Sequence, residues 1–144
     1  FSTEPLEEPV EVTGRLRARL FVSSSAVDTD LALRLCDVYP DGRSMLMAEG
    51  ILRLRFRNGF DKPQLLEPGK MYEVEVDLWS LSLVFNRGHR IRLSVAGSNY
   101  PRWDVNPGLG MPWTDGCKFV LQKNTVFLGG DTPSALILPV RELP

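Results

Sequence analysis

Between Gly88 and Gly110 the chain reads GHRIRLSVAGSNYPRWDVNPGLG, with its single histidine, His89, followed by Ser94, Ser98 and Asp104. A serine activated by a histidine base, itself oriented by an aspartate, would carry out acyl transfer. The spacing argues against that assembly. Successive side chains of a strand alternate between faces, so His89 shares a face with Ile91, Leu93 and Val95 while Ser94 points the other way. Ser98 and Asp104 fall in the following loop, and nothing in the residues requires them to fold back. No G-x-S-x-G segment, the strained turn that exposes a hydrolase serine, occurs in the chain. His89 is therefore read as a structural histidine whose ring nitrogens bond to backbone or to a neighbouring carboxylate, and no catalytic residue is assigned.

Asp28-Thr29-Asp30 and Asp37 offer hard oxygen ligands of the kind calcium takes, yet the glycine and distal glutamate of a regular calcium loop are absent. The expectation for all three aspartates is structural: carboxylates capping backbone N–H groups between strands. No metal and no cofactor is expected. Arg15, Arg17 and Arg19 form one basic row and Arg53, Arg55 and Arg57 another, while Glu73, Glu75 and Asp77 form an acidic row of the same pitch. Cross-strand pairing of such rows contributes only about 0.2–1 kcal/mol per exposed pair but cancels the local field. Both basic rows are expected on a solvated, self-neutralised face.

The stretch with functional promise is SNYPRWDVNPGLGMPW. Tyr100, Trp103 and Trp113 bring large amphipathic surface, and Asn99, Arg102, Asp104 and Asn106 bring directional polar groups. Aromatic residues with arginine anchor protein interfaces, and a few polar groups among aromatics also describe a ligand pocket. A loop that seals one end of the fold is the competing description, and the two are compatible.

The elements that would position these residues follow a period of two. RLRARLFV, LALRL, ILRLRFR, MYEVEVDLW and HRIRLSV each alternate apolar with polar residues, and KFVLQ and SALILPV read as two further short strands. Such alternation marks antiparallel strands with one face in a core and one in water. Pro40-Asp41-Gly42 is a turn, predicting a hairpin of Leu31–Tyr39 with Arg43–Phe56. Pro68-Gly69 and Asn86-Arg87-Gly88 close other segments. With no helical periodicity of any length, the expectation is an all-β sandwich of two packed sheets. The connection from Ser98 to about Trp113 is long enough to suggest a function.

Length and composition fit one domain over residues 1–144: 43% of residues are apolar and 24% charged. A net charge of −1 disfavours nucleic acid as a partner, because phosphate binding needs a basic excess. No apolar run reaches the roughly 20 residues of a membrane helix, and no signal peptide is visible. Cys36 and Cys117 match no metal spacing and are read as free thiols of a reducing, cytoplasmic compartment, with a Cys36–Cys117 bridge as the minor alternative. The opening Phe1-Ser2-Thr3, without Met, suggests a piece of a longer protein.

Taken in order, SSSAVDTDLALRLCDVYPDGRS, GILRLRFR, LLEPGKMYEVEVDLWSLSLVFNRGHRIRLSVAGSNYPRWDVNPGLG and PSALILPV resemble the C-terminal domain of the X-Pro dipeptidyl-peptidase/CocE–NonD hydrolases, from about Val10 to Val140. The resemblance implies a jelly-roll β-sandwich related to galactose-binding-like modules. It further implies a parent chain with a catalytic α/β-hydrolase domain that carries the whole Ser-His-Asp triad, and a helical cap. Both would be partners of this domain, which would help shape a pocket for an ester, amide or X-Pro peptide. No triad position maps here, and His89 falls in the G-H-R-I block of the sandwich. Leu31 stands where an aromatic is common, and Ala96-Gly97 where a serine run is usual. The alternative is a free-standing carbohydrate-binding module that stacks sugars on Tyr100, Trp103 and Trp113. A homodimer through an apolar patch bared by loss of the docking partner is a further expectation.

Overall fold

A computed structural model describes residues 1–141. The strands are β1 (Val10–Ser24), β2 (Asp30–Val38), β3 (Ser44–Arg53), β4 (Tyr72–Phe85), β5 (Arg90–Ala96), β6 (Asn124–Phe127), β7 (Ala135–Ile137) and β8 (Val140–Arg141). They form an all-β sandwich. One sheet runs β3-β2-β5; in the other, β1 is flanked by β4 on one side and by β6, β7 and β8 in succession on the other.

The alternation places the core. Leu16, Ala18, Leu20 and Val22 of β1 meet Val74, Val76 and Leu78 of β4 and, from the opposite sheet, Leu31, Leu33 and Leu35 of β2. The predicted hairpin is present, with Leu31 opposite Leu52 and Val38 opposite Ser44. The outer row of β1 pairs with the acidic row as expected: Arg15 with Asp77, Arg17 with Glu75 and Arg19 with Glu73.

Two expectations fail. Arg53, Arg55 and Arg57 do not form a solvated row, because β3 ends at Arg53 and Leu54–Phe56 turn as a 3-10 helix. The Leu54 N–H donates to the Thr29 carbonyl at 2.9 Å and the Arg55 N–H to Asp28 Oδ1 at 3.0 Å. Those bonds stop the ladder and draw Arg55 inward, where it is buried. The second failure is KFVLQ. Phe119, Val120 and Leu121 are all exposed there, and no strand forms between residues 97 and 123. The strand on that edge is Asn124–Phe127, which pairs with the end of β1. Cys36 and Cys117 are both free.

The N-terminal segment lies along β5. Thr3 N–H donates to the Ile91 carbonyl at 3.0 Å, Leu93 N–H to the Phe1 carbonyl at 2.9 Å and Leu6 N–H to the His89 carbonyl at 2.8 Å. That edge of the smaller sheet is thereby covered. Among the described residues no helix is long and apolar enough to cross a membrane.

Candidate functional site

His89 enters β5 facing inward, beside the end of β2. Its Nδ1 lies 2.8 Å from Asp37 Oδ1 and 3.0 Å from Oδ2, and its ring packs on Tyr39 with centroids 4.3 Å apart. Both His89 and Asp37 are buried, whereas Ser94 faces water on the other side of the sheet. The carboxylate beside the imidazole is thus Asp37, not Asp104, and no serine hydroxyl bonds to the ring among the described residues. An aspartate–imidazole pair without a nucleophile holds β2 to β5 but has nothing to activate.

The long loop crosses the outer face of the smaller sheet. Asp30, Arg34 and, on the neighbouring strand, Glu49 and Arg53 share that face through the two-residue repeat, with Arg34 opposite Glu49 and Asp30 opposite Arg53. Each is taken up by the loop or by its strand partner. Arg34 donates to Asn99 Oδ1, and Asn99 Nδ2 donates to Glu49 Oε2 at 3.2 Å. Arg102 Nε reaches Glu49 Oε1 at 3.0 Å. Arg53 forks onto Asp30 with two bonds of 2.9 Å and also donates to the Asp104 carbonyl at 3.2 Å. The Asp30 hydrogen bonds, stronger than the opposing effect of burial, raise the Arg53 guanidinium above its ordinary value.

Asn106 is the centre of this arrangement and is 2% exposed. Its Nδ2 donates to Asp30 Oδ1 at 2.8 Å and to Asp28 Oδ2 at 3.1 Å, while its Oδ1 accepts the Gly108 N–H at 2.9 Å. Asp28 also takes Arg55 Nη1 at 3.1 Å. The two aspartates therefore do more than cap turns: they are the anionic half of a buried network whose cationic half is Arg53 and Arg55. Both the nitrogen and the oxygen of the Asn106 side-chain amide are used, as burial demands. The described residues contain no group of three or more His, Cys, Asp or Glu arranged to hold a metal ion.

The remaining loop residues face outward. Tyr100 and Trp113 are exposed and Asp104 is exposed through its side chain. Trp103 is half-buried, with the Arg102 guanidinium 5.4 Å from its ring centroid. It stands as the wall between two clefts. One, of about 330 Å³, lies between β3 and β4 with Glu49 and Trp79; the other, of about 310 Å³, is bounded by Asp30, Arg53, Phe56 and Phe60. Sequence reasoning singled out neither Trp79 nor Phe60, nor the Glu49 and Arg34 anchors. The D-L-W block held Trp79, but strand alternation alone gives no sign that its backbone leaves the regular path.

Comparisons with known proteins place the chain in a family and match its fold. Residues 1–137 match the family model described as the X-Pro dipeptidyl-peptidase C-terminal non-catalytic domain. The chain belongs to that family. It is 45% identical over 145 residues to the cocaine esterase of Rhodococcus sp. (strain MB1 Bresler), covering 97% of this chain and 25% of the esterase. Among solved structures, an aminopeptidase from a marine sediment Thaumarchaeota archaeon superposes with a TM-score of 0.92 at 30% identity, over 99% of this chain and 25% of the aminopeptidase. An α-amino acid ester hydrolase gives 0.92 at 29% identity, over 98% of this chain and 25% of its own. The chain thus spans about a quarter of the length of the relatives it matches.

Proposed function

We propose that this chain is the C-terminal β-sandwich of a longer serine hydrolase. It docks on the α/β-hydrolase domain and helical cap, and the loop over residues 98–113 supplies part of one wall of the acyl pocket. The parent cleaves an ester, an amide or an X-Pro peptide bond through an acyl-enzyme, with the triad wholly outside these residues. The observation that carries this reading is the division of labour within residues 97–123. Asn99 and Asn106 turn inward and spend their hydrogen bonds on the sheet, while Tyr100, Met111, Trp113, Phe119 and Leu121 are left facing out. Leu121 is 92% exposed. A loop that only sealed the sandwich would bury those side chains, whereas a run of exposed apolar groups on an internally satisfied frame is what an interface needs.

The test is made in the full-length hydrolase. Replacing Phe119 and Leu121 together by Arg is expected to leave the β signal of the sandwich intact while lowering the thermal midpoint and the turnover of a p-nitrophenyl ester. Unchanged stability and turnover would remove the docking role. The 144-residue chain alone is expected to be inert toward the same ester. Turnover by it, abolished by a serine-directed inhibitor, would overturn the assignment. A saturable quench of Trp fluorescence by a sugar, lost in Trp103→Ala, would favour the carbohydrate-binding alternative instead.

A further inference from the structure

We infer that Trp79 is the anchor of a second contact with the catalytic part of the same polypeptide, made at the corner where β3 crosses β4; the inference rests on the docking reading above. β4 carries a bulge at this point. Arg15 pairs with Ser80 and Arg17 with Asp77, so Leu78 and Trp79 together face the single residue Leu16. A bulge re-aims a side chain out of the pleat. Trp79 takes φ +66°, the single non-glycine with positive φ among the described residues, and the residue is 68% exposed.

Two features hold it there. The Asp77 carboxylate accepts the Trp79 N–H at 3.0 Å. Across the corner, a Cβ on Gly50 would sit 2.0 Å from the Asp77 carbonyl oxygen, so only glycine lets β3 press against β4 at this level. A bulky aromatic in the left-handed region is a strained state, and a large apolar group in water gains nothing from being held there. Both costs are met if the indole is buried in the assembled protein.

The cleft beside it tells what enters. Leu46, Met47 and Trp103 line it together with Ser80, Arg102 and Glu49, and Glu49 already receives Arg102 and Asn99. With that carboxylate already paired, the visitor is a segment that sets apolar groups beside hydrogen-bonding ones. Its source is the remainder of the hydrolase, because relatives sharing this domain are about four times its length and the cleft adjoins the Trp103 end of the docking loop.

Single cysteines at Leu46, Leu121 and, as control, the exposed Ser94 are placed in the full-length chain with Cys117→Ser, and maleimide labelling is read peptide by peptide by mass. Leu46→Cys is expected to react at least about tenfold more slowly than Ser94→Cys at every protein concentration. Adding Trp79→Gly, which accepts φ +66° without strain and so keeps the bulge, is expected to return Leu46→Cys to the control rate. A control-like rate at Leu46 in the unaltered corner, or protection that vanishes on dilution as for a second copy, overturns the inference. So does protection that survives Trp79→Gly. Protection at Leu121 alone would leave docking standing and remove the corner contact. Protection at Leu46 alone would keep the corner and remove the loop as docking surface, and protection at neither would remove both.

Discussion

Asn106 lies 76 positions along the chain from Asp30, yet its amide nitrogen sits 2.8 Å from the Asp30 carboxylate inside the protein. That bond and its companion to Asp28 fasten a strandless loop to the sheet with no backbone ladder. Asn106→Ala strips a donor from both carboxylates and an acceptor from Gly108. A loss of about 2–3 kcal/mol in urea unfolding is expected, since buried polar groups are left short of partners. Amide exchange should accelerate through residues 98–110 more than in β2. Asn106→Asp, which adds a third carboxylate to two buried ones, should cost more.

Asp28 and Arg55 are both buried, and their contact is reinforced by the Arg55 backbone N–H. Removing one partner strands the other. Asp28→Ala is expected to destabilise by about 3–5 kcal/mol. Chemical denaturation followed by Trp fluorescence reads it, and a loss below about 1 kcal/mol would contradict the buried pair.

Gly50 is irreplaceable on steric grounds, given the 2.0 Å approach of its absent Cβ to a backbone oxygen. Backbone cannot swing aside as a side chain does. Gly50→Ala should cost about 3 kcal/mol or more, at or beyond the upper end of overpacking. A lowered midpoint in thermal circular dichroism checks this.

The Asp77 carboxyl is pulled two ways. Partial burial pushes it up, but the Arg15 guanidinium and the Trp79 N–H together outweigh that and hold it below the ordinary 3.8. A carboxylate depressed in the folded state stabilises the fold above its unfolded value and stops doing so as pH falls through its folded value. The stability advantage of wild type over Asp77→Asn should thus be constant at neutral pH and shrink once pH drops below about 3.8. An advantage that grew on acidification would reverse the sign.

The sheets were legible because burial on one face imposes alternation. Leu16 through Val22 and Tyr72 through Leu78 point where their period says they should. Arg55 broke the pattern because a side-chain acceptor 27 positions away competed for its backbone, and propensity carries no information about such distant donors and acceptors. KFVLQ misled for a related reason. Its apolar residues lie exposed outside the sandwich core, so hydrophobicity was present without a core to receive it. Trp79 was hidden because a bulge is a relation between two strands, and only pairing with β1 exposes the extra residue.

Phe1 to Leu6 occupy the hydrogen-bonding rim of β5. Displacing them would bare a row of amides and carbonyls on a half-apolar ribbon, the template on which two molecules add to each other's sheets. Detachment of this short strap from the edge would then show first as lost solubility, with the sandwich beneath it still folded.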